Sequence, residues 1–182
     1  MILVIGGARS GKSSFAEERA SKISEKSKTN VMYVATSIGF DADMKDRIQK
    51  HKDSRSKKWI TLEKYCNFTR EDIDKECNVV MLDCLTLLIS NIILDSKYDF
   101  DNITNAEIDK LESTVEFEIN MFLKIFEKKE IIIVSNEVGL GLVPPYKLGA
   151  IFRDIAGRMN QLIARKSEEV YLMTAGIAMK IK

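Results

Sequence analysis

The sequence predicts an α/β fold, a mostly parallel central sheet with helices on both faces, organised around a phosphate-binding loop. Three observations carry that expectation. The stretch Gly6-Gly7-Ala8-Arg9-Ser10-Gly11-Lys12-Ser13 fits G-x-x-x-x-G-K-[ST] and follows directly on the apolar run Ile2-Leu3-Val4-Ile5, which has the length of one buried strand. The apolar runs Val79-Val80-Met81-Leu82 and Ile131-Ile132-Ile133-Val134 suit strands buried on both faces of a parallel sheet. Amphipathic segments of helical period alternate with these runs, and that alternation implies right-handed crossovers.

Length and charge set the outer bounds. At 182 residues with no Pro- or Gly-rich linker, residues 1–182 make one domain with a sizeable core. The formal net charge is +1, with 30% charged residues of both signs interspersed, so no field recruits nucleic acid or an anionic membrane surface and a small ligand is expected. Cys66, Cys77 and Cys84 are odd in number and lack C-x-x-C spacing; they indicate neither a disulfide framework nor a zinc site and fit a reducing, cytoplasmic setting. Ile2 to Ile5 is too short for the apolar core of a secretion signal. No run approaches the roughly 20 apolar residues of a membrane span, so a soluble protein is expected.

Lys12 to Lys26 reads as the first helix, and Val31 to Thr36 as a strand that ends in small polar residues, Thr36 and Ser37. Such strand ends face ligands in open α/β sheets. Asp41 is placed to cap a helix through Lys57, on which Met44, Ile48, His51 and Arg55 share a face. Trp59 to Glu63 is rich in β-formers and makes a short strand, and Val79 to Asp83 makes a buried one closed by an acid. Cys84 to Leu94 reads as helix and Asp95 to Ile103 as polar loop. Thr104-Asn105-Ala106-Glu107 has the form of a capping box, and Ile108, Leu111, Val115, Ile119, Phe122 and Phe126 follow at helical steps. Ile131 to Ser135 is a strand, and Asn136 to Gly149 is a Gly- and Pro-containing loop whose length points to function. A helix from Tyr146 to Lys166 has Leu148, Ile151, Phe152, Ile155, Met159 and Leu162 on one side; Val170 to Thr174 closes the sheet, and Ala178 to Ile181 adds a short strand whose direction the sequence does not assign.

The phosphate loop brings backbone N–H groups close to phosphate oxygens, and the following helix adds its positive N-terminal end. Lys12 is placed to reach the β- and γ-phosphates of a nucleoside triphosphate and the Ser13 hydroxyl to ligate Mg²⁺. Asp83, at the tip of a buried strand, would stand beside that ion; its other reading is the N-cap of the next helix. His51, the single histidine, is either a half-buried helix residue beside Met44 and Ile48 or a nucleophile toward phosphorus, with Lys50, Lys52 and Arg55 around it. Glu63 and Glu137 read equally as solvated charges or as site residues.

These residues also carry a resemblance. The phosphate loop with Ala16-Glu17 after it, Ala35-Thr36-Ser37, Arg47-Ile48 followed by His51, Trp59-x-Thr61-x-Glu63, Asn136-Glu137-Val138-Gly139-Leu140-Gly141-Leu142-Val143-Pro144, and Phe152 to Arg158 with Asn160-Gln161 stand in order along the chain. Together they resemble the bifunctional adenosylcobinamide kinase / adenosylcobinamide-phosphate guanylyltransferase family of cobalamin biosynthesis, from residue 1 to 182. The resemblance implies a RecA-like P-loop NTPase fold, a homo-oligomer that is usually a trimer, and ATP, GTP and adenosylcobinamide as substrates. It makes His51 the guanylylated nucleophile and places the phosphate loop, Ala35, Thr36, Ser37, Lys52, Asp53, Ser54, Arg55, Glu63 and Asp83 in the nucleotide site. Asp83 stands where relatives have Glu, and Ala178 where some have Gly. A carboxylate one methylene shorter still serves magnesium, directly or through water. From the residues alone, a small-metabolite kinase in which His51 only binds substrate, or a non-enzymatic nucleotide switch, would also fit.

Overall fold

The computed structural model describes residues 1–37 and 59–182. The helix expected from Asp41 to Lys57 lies outside them. The first strand, β1 (Ile2–Gly6), is buried throughout and feeds the phosphate loop, from which α1 (Lys12–Ser27) starts. There follow β2 (Asn30–Ala35), β3 (Ile60–Glu63), a short 3₁₀ turn (Arg70–Asp72), β4 (Cys77–Asp83) and α2 (Leu85–Asp95). The chain ends with α3 (Asn105–Ile125), β5 (Glu130–Asn136), α4 (Lys147–Lys166), β6 (Glu169–Thr174) and β7 (Ile177–Lys180).

The seven strands form one sheet in the order β3-β2-β4-β5-β1-β6-β7. Every neighbouring pair is parallel except β6 with β7, which turns back antiparallel at the edge. The mostly parallel sheet expected from the apolar runs is therefore present, and the direction of the last strand is settled. Strand β6 pairs with β1 and is interior; the edge is β7.

Alternate side chains of each strand point to opposite faces, which divides the core in two. On one face Ile2, Val4, Val31, Tyr33, Val79, Met81, Ile132 and Val134 pack with Ala16 and Ala20 of α1, whose small side chains let the helix lie close. On the other, Leu3, Met32, Val80, Leu82, Ile131 and Ile133 meet α2, α3 and α4 through residues such as Leu88, Val115, Ile119, Phe122, Ile155 and Ile163. The start of α3 is fixed as its sequence demands: the Thr104 hydroxyl accepts from Glu107 N (3.3 Å) and a Glu107 carboxylate oxygen accepts from Thr104 N (2.8 Å). No helix among the described residues is long and apolar enough to cross a membrane.

At the far end of α3, Phe68, Phe122 and Phe126 make a fully buried cluster with ring centroids 5.0–6.4 Å apart. Truncating the middle ring leaves a cavity its neighbours cannot fill. Phe122→Ala should lower unfolding stability by about 3–5 kcal/mol in a urea titration, with the far-ultraviolet circular dichroism spectrum retained below the transition.

Candidate active site at the carboxyl edge of the sheet

The strand register brings the site together. Glu63, Ala35 and Asp83 are paired across β3, β2 and β4, and Gly6 is paired with Asn136 of β5 and Met173 of β6. All lie at the carboxyl ends of parallel strands, where the phosphate loop also leaves β1, the edge at which open α/β sheets bind ligands.

The loop is held tightly. A Cβ on Gly6 would meet Met173 O at 2.6 Å and Ser10 Oγ at 2.7 Å, so only glycine lets β1 turn away this close to β6. Gly11 caps α1 at φ 88°, and Arg9 also takes a left-handed conformation at φ 58°. The β6–β7 turn braces the loop from behind, with Gly176 N donating to Ser10 O at 3.0 Å. Ser10 Oγ is buried without a partner among the described residues, a polar atom left for a ligand or water to satisfy.

Lys12 is buried, 9% exposed, and its ammonium donates to Gly7 O at 2.9 Å. Burial pulls its pKa below the usual lysine value, against the opposing pull of Cys84 and the Asp83 carboxylate. In the sheet β5 lies between β4, whose last residue is Asp83, and β1, from which the loop carrying Lys12 leaves. Ser13, half-buried, stands in the first turn of α1, which carries no acid to compete with an anionic ligand.

Asp83 is not a helix cap. Cys84 occupies the N-cap of α2, and Asp83 Oδ2 instead accepts from Tyr33 OH at 2.7 Å. Thr36 is buried, and its hydroxyl is committed to the neighbouring strand: it donates to Cys84 O (2.7 Å) and accepts from Cys84 N (2.9 Å), while Asn91 Nδ2 holds Thr36 O (2.7 Å). Ala35 is buried with it, leaving Ser37 half-buried and Glu63 exposed as the groups nearer solvent. Of the sequence-predicted residues, the structure thus gathers the phosphate loop, Ala35, Thr36, Ser37, Glu63 and Asp83 at one edge. His51, Lys52, Asp53, Ser54 and Arg55 lie outside the described residues.

A polar network under this edge was not anticipated. Asn160 of α4 accepts from Ser135 Oγ (2.6 Å) through Oδ1 and donates to Asn136 O (3.1 Å) through Nδ2. Asn136 Nδ2 in turn donates to Thr86 Oγ1 (2.7 Å), which lies 3.2 Å from Cys84 Sγ. The signal was the small polar pair Ser135-Asn136 closing an otherwise apolar strand. Glu137 proves partly structural: its N–H donates to Gly6 O (3.0 Å) and its carboxylate accepts from Gly139 N (2.7 Å).

The three cysteines are free thiols. Burial pushes Cys77 up to about 11 and raises Cys84 as well, so neither is poised as a nucleophile. Among the described residues no group of three or more His, Cys, Asp or Glu could hold a metal ion alone.

With this geometry established, three comparisons bear on identity. The family model described as cobinamide kinase / cobinamide phosphate guanyltransferase matches residues 2–181. The bifunctional adenosylcobalamin biosynthesis protein CobU of Escherichia coli (strain K12) is 38% identical over 187 residues, covering 100% of this chain and 99% of that protein. CobP of Pseudomonas aeruginosa, under the same description, is 34% identical over 183 residues, with 99% and 96% covered. Among solved structures, the flagellar accessory protein FlaH of Methanocaldococcus jannaschii aligns over 100% of this chain and 77% of its own, at 15% identity and a TM-score of 0.47. That distant likeness adds nothing to the strand order already described.

Lys12 generates a test of the site. A buried ammonium whose folded-state pKa lies below its unfolded value costs stability wherever it remains charged. Lys12→Met should therefore leave the melting temperature of the free protein unchanged or raised, while the rise produced by added GTP disappears and triphosphate use falls roughly 10²–10³-fold. Thermal scans with and without GTP, read beside turnover, check both halves.

Proposed function

The chain belongs to the cobinamide kinase / cobinamide phosphate guanyltransferase family and is a bifunctional transferase of adenosylcobalamin biosynthesis; on that premise we propose that the phosphate loop and His51 divide the two reactions between them. The observation that carries this reading is Lys12, desolvated at the base of a glycine-framed loop and under the opposing pull of the Asp83 carboxylate. In the kinase step the loop N–H groups and Lys12 hold the β- and γ-phosphates of ATP or GTP, and the Lys12 ammonium exchanges Gly7 O for phosphate oxygen. The adenosylcobinamide hydroxyl attacks Pγ and gives up its proton to solvent; a new P–O bond forms as the bond from Pγ to the bridging oxygen breaks, and the nucleoside diphosphate leaves with that oxygen.

In the second step the neutral His51 imidazole attacks Pα of GTP. A P–N bond forms as the bond to pyrophosphate breaks. The phosphate oxygen of adenosylcobinamide phosphate then takes the GMP group, releasing imidazole and giving adenosylcobinamide-GDP. Lys52, Asp53, Ser54 and Arg55, beside His51 in sequence, and Ala35, Thr36, Ser37 and Glu63 complete the nucleotide site in this reading. The site also fits Mg²⁺. Ser13 and Asp83 are the residues that would hold it, and so sparse a protein donor set is normal for an ion that takes its remaining ligands from phosphates and water. When bound, the ion would neutralise charge on the triphosphate.

The decisive experiment uses GTP labelled at the α-phosphate. Denatured wild-type protein should retain the label and His51→Ala should not, while phosphorylation of adenosylcobinamide by the variant stays within about threefold of wild type, since phosphoryl transfer needs only the triphosphate clamp. Labelling should also decline as pH falls through roughly 6.5, because the imidazolium has no lone pair. Loss of both activities together with folding cooperativity would make His51 structural.

We further place the enzyme in the cytoplasm as a homotrimer. A corrinoid is too broad for a shallow site on one small domain, and subunit boundaries supply deeper clefts. Ile177, Met179 and Ile181, exposed along and just past the edge strand β7, support such association. Light scattering at micromolar protein should return three times the 20.7 kDa chain mass; a monomer mass with full activity would refute the trimer.

A further inference from the structure

We propose that the uncharged loop between β5 and α4 holds the ring of the corrinoid acceptor, an inference that rests on the cobinamide reading above and assigns its second substrate a place. Leu140, Leu142, Val143 and Tyr146 are 86%, 96%, 68% and 63% exposed. Four large apolar side chains standing in water within seven residues form a patch of the kind that marks a binding surface. The fold does not require them, since polar residues would serve an exposed turn equally well. From Val138 to Tyr146 the loop has no charged residue.

The loop is anchored at both ends. Glu137 N donates to Gly6 O at 3.0 Å, which ties its start to the first residue of the phosphate loop. At its end Gly149 packs so closely on Pro144 and the Tyr146 ring that a Cβ there would meet each at 2.7 Å, and Lys147 Nζ donates to Ile103 O at 2.7 Å. The apolar side chains thus stand on a segment tied to the phosphate loop at its start and to α4 at its end.

Position and charge select the occupant. A phosphoryl acceptor must bring its hydroxyl to the γ-phosphate, so its bulk has to rest beside the phosphate loop on this edge. The triphosphate is polyanionic and gains nothing from an uncharged, apolar surface, and the rest of the nucleotide has its own residues in the reading above, Ala35 to Ser37, Glu63 and Lys52 to Arg55. A corrinoid is a broad macrocycle carrying methyl groups and neutral amides at its rim, which matches a loop of exposed apolar side chains with no charge among them. A second copy of the chain packed flat on these side chains is the rival occupant; continuity with the catalytic edge favours the corrinoid, with the neighbouring subunit of the proposed trimer closing the cleft around it.

The test compares wild type with Leu140→Ser/Leu142→Ser and with the conservative Leu140→Ile/Leu142→Met. Binding of adenosylcobinamide is read by equilibrium dialysis from corrin absorbance, alongside KM for each substrate, labelling from α-labelled GTP, and mass by light scattering. The serine variant should bind the corrinoid roughly tenfold or more weakly and show a matching rise in its KM, with the conservative variant near wild type. Labelling by GTP and the mass should stay at wild-type values. Unchanged corrinoid affinity overturns the proposal, and so does a fall in mass or in GTP labelling that accounts for the lost affinity. Wild-type protein that takes label from GTP yet binds no corrinoid would instead refute the cobinamide reading on which the proposal stands.

Discussion

An ammonium taken out of water is the arrangement on which the rest of this site depends. Lys12 gives up hydration, its Nζ donates to Gly7 O, and burial depresses its pKa. A charge so placed interacts more strongly with phosphate oxygens than the same charge in solvent, and it needs no reorganisation when they arrive. The tight wrapping that buries it has its own requirements: no Cβ between β1 and β6 at Gly6, a left-handed Gly11 at the head of α1, and the β6–β7 turn donating to Ser10 O from behind.

The strand ends around the ammonium are fixed by buried polar groups that satisfy one another. Thr36 joins the end of β2 to Cys84 through two hydrogen bonds, and Asn160 bridges Ser135 and Asn136 from α4. Satisfied networks of this kind rigidify, whereas a single missing partner would leave a costly orphan. These networks lie at the carboxyl edge, whereas the strand centres, such as Val80, Met81, Ile132 and Ile133, are apolar and fully buried. Tyr33 then orients the Asp83 carboxylate from within the same layer. Rigidity is concentrated where phosphates must be met.

Much of the fold was legible because all-apolar runs, a capping box and a glycine-framed loop are local signals. The parallel sheet and the start of α3 followed from them. The antiparallel turn of β7 was not legible, because Ala178 to Ile181 has no pattern that distinguishes direction; what fixes it is the left-handed pair Ala175 and Gly176 before it. Nor could spacing reveal that Thr36 bonds to Cys84, 48 residues away, or that Asn160 bonds to Ser135. Such pairs exist only once crossovers bring the strands side by side. Asp83 was readable as either cap or site residue until the chain showed Cys84 as the N-cap of α2, which starts at Leu85.

The carboxyl edge is divided by chemistry in a way that suits two successive transfers. One part, the phosphate loop with Lys12 and Asp83, is charged and tuned to anions. The adjoining Val138 to Tyr146 segment is uncharged and apolar. They are not independent, because Glu137 N is bonded to Gly6 O, and the strand carrying that bond is braced through Asn136 to α4. On the proposed reading, an acceptor resting on the apolar part would bear on the same backbone that frames the phosphate loop, through the Glu137 N to Gly6 O bond. That coupling needs no second domain: the register of Gly6 with Asn136 already places the two surfaces side by side.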